Sequence, residues 1–237
     1  MPVVLVVGAS RGIGAAIAAR YARAGDTVAG THRGGGLSLP DDVTDSVLPV
    51  SCDVRYTDSI KAAFTQVETE LGKPEIVVYN AAVTADKLLV RMDDSDWDLT
   101  LDTNLSGAFR VARRATMAMM KARAGSIVFI SSAAGAAGAP GQVNYAAAKA
   151  GLVGLARSMV LELGSRGVRV NVVAPGPTQT EMTATLTDVQ REAMRVQIPL
   201  ARFAEPDEIA EVVEWVSRAT FMSGAVVGVD GGAGMGK

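Results

Sequence analysis

Histidine is nearly missing from this 237-residue chain, with His32 as its single example. A hydrolase triad built on an imidazole base therefore has little to work with. Cysteine also occurs once, at Cys52, which excludes an intramolecular disulfide and leaves no companion suited to holding a metal. Cys52 reads as a small residue at a strand end, no metal site is expected, and a cytoplasmic location is the default expectation. Long apolar runs are missing too: hydrophobic residues make up 49% of the chain, yet stretches such as "PVVLVV" fall far short of the roughly 20 residues a membrane helix needs. No basic segment followed by an apolar signal core opens the sequence. Neither sign of charge is in excess, because 23 Lys+Arg against 25 Asp+Glu leave a net charge of -2. No overall attraction to nucleic acid or to an anionic membrane follows, and small molecules or locally met acidic proteins remain as partners.

Short β-branched runs are present, at residues 3–7, 27–31, 47–52, 76–79, 126–131, 168–173 and 225–229, separated by Ala-rich stretches of helix length. Apolar strands alternating with helices predict an α/β fold, a doubly wound seven-stranded parallel sheet with helices on both faces. The expectation is a single domain over residues 1–237. Residues 176–199, Thr-rich and weakly periodic, interrupt the last crossover and read as an inserted substrate loop or lid. In such sheets ligands bind beyond the carboxyl ends of the strands, so residues that follow strands are the ones to inspect.

After the first strand stands "VVGASRGIG", where Gly8, Gly12 and Gly14 allow a tight turn and close approach to a pyrophosphate at a helix N-terminus. After the second stands "THRGGG". An NAD site would carry an acidic residue here for the ribose 2′-hydroxyl; Arg33 stands instead and, with Arg11, forms a cationic pocket for a 2′-phosphate, which points to NADPH. His32 reads as a pocket-edge or surface residue. "SCDV" offers Asp53 to an adenine amino group and Val54 to its ring, and in "YNAAV" Asn80 stands among small residues that let the backbone approach a ribose. "FISSAAG" ends the fifth strand with Ser132, "TNLSGAF" places Asn104 within a helix, free to bind water or a backbone carbonyl, and "NYAAAKAG" puts Tyr145 and Lys149 four residues apart on one helix face. A neighbouring ammonium favours a phenolate. Taken one at a time, each of these is equally open to a structural explanation.

Taken together, in this order and spacing, Gly8–Gly14, Asn80, Asn104, Ser132 and Tyr145-x-x-x-Lys149 resemble the short-chain dehydrogenase/reductase family over essentially the whole chain. The resemblance implies that Tyr145 gives a proton to the developing alkoxide, that Lys149 lowers its pKa and holds the nicotinamide ribose, that Ser132 positions the carbonyl, and that Asn104 orders a water relay to Lys149. It adds Ser10, Ile13, Pro175 and Gly176 to the cofactor contacts. "NLSGAFR", "GVRVNVVAPG", "IPLARFAEPDEIAEVV" and "SGAVVGVDGG" resemble the 3-oxoacyl-[acyl-carrier-protein] reductases of that family, and "THRGGG" with the ending "GAGMGK" its mycolic-acid-pathway branch. From this follow a 3-oxoacyl thioester substrate in fatty-acid elongation, carrier-protein docking at Arg123 and Arg166, and a homotetramer built through the Asn104 and Tyr145 helices and the last strand. Acetoacetyl-CoA, a polyketide carbonyl or another small ketone, and a non-catalytic NADP-binding sensor, are the alternatives. Val7, Ala82, Pro177 and Thr178 depart from the family pattern, the last two where acyl specificity is set.

Overall fold

The computed structural model describes residues 1–234; the last three positions of "GAGMGK" lie outside the described residues. Seven strands, β1 (Val3–Val7), β2 (Thr27–His32), β3 (Val47–Ser51), β4 (Ile76–Tyr79), β5 (Gly125–Ile130), β6 (Val168–Pro175) and β7 (Val226–Val229), form one sheet in the order β3-β2-β1-β4-β5-β6-β7. Every pairing is parallel. The doubly wound α/β class read from the sequence is the one observed. Strand β6 runs on to Pro175, two residues past the stretch expected, because its end pairs with Gly228 and Val229 of β7.

Between the strands run α1 (Gly12–Arg23), α2 (Thr57–Glu70), α3 (Asp94–Leu101), α4 (Gly107–Ala122), α5 (Ala133–Ala137), α6 (Val143–Leu163), α7 (Glu181–Ala184), α8 (Asp188–Arg195) and α9 (Pro206–Arg218). Side chains of a strand alternate between faces. Accordingly Leu5 and Val7 of β1 join a core with Phe64 of α2, Val111 of α4 and Leu152 of α6, whereas Val4 and Val6 join Ile17 of α1 and Ile209 of α9 on the other side.

Strand order reverses beside β1, which pairs with β2 on one side and β4 on the other. That switch opens a crevice at the carboxyl ends. One junction deserves mention because it shapes the crevice wall: a π turn, Asp102–Ser106, joins α3 to α4. It is followed by Gly107, where a Cβ would lie 2.4 Å from the Tyr79 hydroxyl and 2.9 Å from Val54 Cγ2. Only glycine lets this turn pack onto β4 and the loop after β3.

Candidate active site

The loops that follow the strands converge on one crevice of about 810 Å³, whose wall includes Gly8, Ser10, Arg11, Gly12, Ile13, Arg33, Asp53, Val54, Asn80, Ser132, Tyr145, Lys149, Pro175 and Gly176. The strand-end residues singled out in the sequence are thus brought together. Gly14 and Asn104 are the exceptions. They do not line the crevice and act from behind its wall.

At the glycine turn, Gly8 has φ +86 and its missing Cβ would stand 2.5 Å from Ala81 Cα, while a Cβ on Gly14 would stand 2.0 Å from the Gly8 carbonyl oxygen. The turn therefore nests directly on the loop after β4. Asn80 Nδ2 locks it there by donating to the Gly8 carbonyl at 2.7 Å. No side chain among the described residues caps the first turn of α1, nor does that turn hold an acidic group. A helix start with neither is open to an anion.

Towards the far end, Arg33 makes no ion pair among the described residues. Arg11 does: its guanidinium meets Glu181 of α7 at 2.5 Å, both side chains being about two-thirds exposed. The expected two-arginine pocket is thus one open arginine and one arginine paired with Glu181 of α7. Asp53 is also engaged, receiving Arg55 Nη2 at 2.6 Å and Nε at 3.0 Å. That hydrogen-bonded guanidinium holds its carboxyl below the usual range, with Arg33 adding a smaller pull. An adenine amino group would have to share this carboxylate with Arg55. His32 lines the crevice edge, as expected of it.

At the near end the two serines of "FISSAAG" divide their work. Ser131 is buried and donates to the Lys149 carbonyl at 2.8 Å, fixing β5 to α6. Ser132 caps α5, its Oγ accepting from Ala134 N at 3.2 Å, and it lines the same crevice as Tyr145. Burial pushes the Tyr145 phenol up to about 12, Ser132 drawing it partly back and Asp86 adding to the rise. Lys149 is not among the groups that move it. Lys149 is fully buried, its Nζ donates to the Ile130 carbonyl at 2.8 Å, and it stands 5.5 Å from the centre of the Tyr145 ring. Desolvation lowers the ammonium's own pKa to about 7, so it is about half protonated at neutral pH.

Asn104 is wholly buried, accepting from Val83 N at 2.8 Å and donating to the Val83 carbonyl at 2.9 Å. Those two bonds clamp the crevice wall, and the amide keeps one donor and one acceptor site for other partners. Sequence reasoning passed over Asn144. Its Nδ2 reaches the carbonyls of Ala85 and Asp96 and the Thr100 hydroxyl, and its Oδ1 accepts from Tyr145 N. A buried asparagine beside the tyrosine was visible in "NYAAAKAG", but its partners lie 44 to 59 residues away. Thr103 was passed over as well; it lines the crevice with a buried hydroxyl.

Arg123 and Arg166 come close together, with Arg123 Nη2 donating to the Ser165 carbonyl at 3.0 Å. They precede β5 and β6, at the amino-terminal edge of the sheet. The crevice is at the opposite edge.

Comparison with known proteins agrees with this geometry. The sequence model of the family described as "Enoyl-(Acyl carrier protein) reductase" matches residues 8–234. The chain is 44% identical over 236 residues to the 3-oxoacyl-[acyl-carrier-protein] reductase MabA of Mycobacterium tuberculosis, a match covering 98% of this chain and 93% of that protein. It is equally identical to the MabA of Mycobacterium avium, with 98% and 90% covered, and 40% identical over 237 residues to the 3-oxoacyl-[acyl-carrier-protein] reductase FabG of Staphylococcus aureus, with 96% of each chain covered. Matches of this length take in both the glycine turn and the α6 pair, and they establish that the chain belongs to the short-chain dehydrogenase/reductase family.

Proposed function

We propose that this chain reduces the 3-oxo group of an acyl thioester carried on acyl carrier protein, using NADPH, to give the 3-hydroxyacyl thioester of fatty-acid elongation. The observation that carries the reading is the pairing of two hydroxyls, Ser132 and Tyr145, in the crevice wall. Two O–H donors lining one crevice suit a carbonyl oxygen that gains charge. This also favours ketone reduction over the enoyl reduction in the family model's description.

The residues present fit a dinucleotide. Gly8, Ser10, Arg11, Gly12 and Ile13 would hold its phosphates, Arg33 a 2′-phosphate, Asp53 and Val54 the adenine, and Asn80, Pro175, Gly176, Tyr145 and Lys149 the remainder. Bound there, it supplies the hydride. Burial keeps Tyr145 protonated at neutral pH, so the proton for the new hydroxyl is already in place. Lys149, with a pKa near 7, is ready to replace it. Met182 and Met194 of the lid, with Val83 and Ala139, line the rest of the crevice, an apolar surface that suits an acyl chain.

The proposal extends to a homotetramer, to carrier docking at Arg123 and Arg166, and to the cytoplasmic location that a single cysteine suggests. In support of association, Phe109 and Met117 of α4, Leu161 of α6, Trp215 and Phe221 are exposed, apolar side chains that a contact with another copy would cover.

The test is nicotinamide oxidation with a 3-oxoacyl carrier-protein thioester, NADPH and NADH run in parallel, on the wild type and on Tyr145→Phe. Fast NADPH-dependent turnover that falls by about 10²- to 10⁴-fold in the variant is the expected result. Equal rates in the two proteins would remove Tyr145 from the chemistry, and no turnover despite NADPH binding would turn the reading towards another carbonyl.

A further inference from the structure

Three consecutive residues after β4 hold the stretch that leads into α6. The Ala85 carbonyl accepts from Asn144 Nδ2 at 3.0 Å, the Asp86 carboxylate accepts from Gln142 Nε2 at 2.6 Å, and Lys87 N donates to the Gly141 carbonyl at 2.9 Å. The holding side is itself anchored, because the Lys87 ammonium meets Asp93 at 2.8 Å and Asp96 at 2.6 Å where α3 begins. The held side is a loop: residues 138–142 join α5 to α6, and Gly138 and Gly141 sit there at φ +74 and +81, with other backbone conformations open to them.

Both ends of this loop bear on the chemistry. Ala137, Gly138, Ala139 and Gln142 line the crevice, and Tyr145 follows Gln142 in the first turn of α6. Of the three ties, only the one between Asp86 and Gln142 joins two side chains, so substitution can cut it and leave the main chain alone. Asp86 is not among the residues that line the crevice; whatever it does for the reaction passes through Gln142 or through its charge, which adds to the rise in the Tyr145 pKa.

We propose that Asp86 is a positioning residue for the ketone reduction: by holding Gln142 it fixes the loop before α6 and so aims Tyr145 at the substrate. The proposal rests on the reaction proposed above. A reacting group misplaced by about 1 Å can cost on the order of 10²-fold in rate, so a tie that contributes little to stability still matters to turnover.

The test compares Asp86→Ala, Asp86→Asn, Gln142→Ala and the double alanine variant. With NADPH and a 3-oxoacyl thioester, each single alanine variant should lose about tenfold in kcat and keep its NADPH affinity within about twofold. Melting temperatures should stay close to wild type, because the lost bond is exposed. The double variant should lose no more than either single one, since both cut the same tie. Asp86→Asn keeps an oxygen for Gln142 without the charge and should restore most of the rate. Amide exchange across residues 138–144 should quicken in Asp86→Ala and return to the wild-type rate in Asp86→Asn, a readout that needs no substrate. Full kcat in Asp86→Ala would overturn the proposal. So would a loss that Asp86→Asn shares, which marks the charge, or a loss confined to Gln142→Ala, which marks a direct substrate contact. A wild type that shows the exchange pattern but no turnover would instead overturn the reductase reading on which the proposal stands.

Discussion

Lys149 is the residue whose environment is most at odds with its charge. It is fully buried, its Nζ donates to the Ile130 carbonyl, and its pKa is lowered from 10.5 to about 7 by desolvation. An unfolded chain keeps this lysine protonated up to its ordinary pKa, whereas the folded one releases the proton near neutrality. Between those values the unfolded state binds more protons, so stability rises with pH; below about 7 both states are protonated and the whole cost of burying the ammonium is present. Tyr145 works in the opposite sense, but only above its ordinary value of 10.0, which leaves a clean interval for the lysine. Ligand-free wild type should therefore gain up to about 3 kcal/mol between about pH 7 and 9.5 relative to Lys149→Met. Chemical denaturation of both proteins across that interval measures it. Parallel profiles would show that Lys149 remains charged in the folded protein and that its burial is relieved in some other way.

At the scale of elements, the segment after β6 meets the glycine turn through α7. Glu181 occupies Arg11, and a Cβ on Gly12 would touch Thr180 Cγ2 at 3.2 Å. A carboxylate resting on the arginine proposed to hold a phosphate would compete with it, but an ion pair this exposed is weak. Glu181→Gln should accordingly tighten NADPH binding by only about twofold to fivefold, more at low salt than at high. Calorimetric titration at two ionic strengths would show it, and weaker binding would mean that Glu181 helps to close the lid over the cofactor. The elements were largely legible in the sequence: β-branched runs such as 3–7 and 76–79 became strands at those bounds, and the residues after them reached one crevice because parallel strands share one direction. What was not legible depends on partners distant in sequence. Nothing local shows that Asn104 spends its amide on Val83, that Glu181 takes Arg11 across 170 positions, or that Lys149 turns inward to the Ile130 carbonyl. Arg55 lies only two residues from Asp53, yet its grip on that carboxylate is a choice of rotamer that spacing leaves open.

For the whole molecule, the two edges of the sheet set the distance between chemistry and docking. Arg123 stands just before β5, and Ser132 just after it. A six-residue strand at about 3.3 Å per residue separates the two by roughly 20 Å. A carrier protein held at Arg123 and Arg166 must then reach a crevice around the edge of the sheet, or in a neighbouring subunit of an oligomer. The distance has a useful consequence, because reversing these charges leaves Ser132, Tyr145 and Lys149 undisturbed. Arg123→Glu combined with Arg166→Glu should raise KM for a carrier-protein thioester by about tenfold or more, leave kcat within about twofold, and leave the coenzyme A thioester unaffected, since rim charges act on encounter rather than on the bound reaction. Kinetics with both thioesters at low and moderate salt decides the matter. Equal losses on the two substrates would mean that the change has disturbed the fold, as Arg123 sits at φ +54 at the end of α4 and bonds the Ser165 carbonyl. No change on either would place carrier docking on another face, and the crevice edge around Met182 and Met194, where the substrate must in any case enter, would be the next surface to alter.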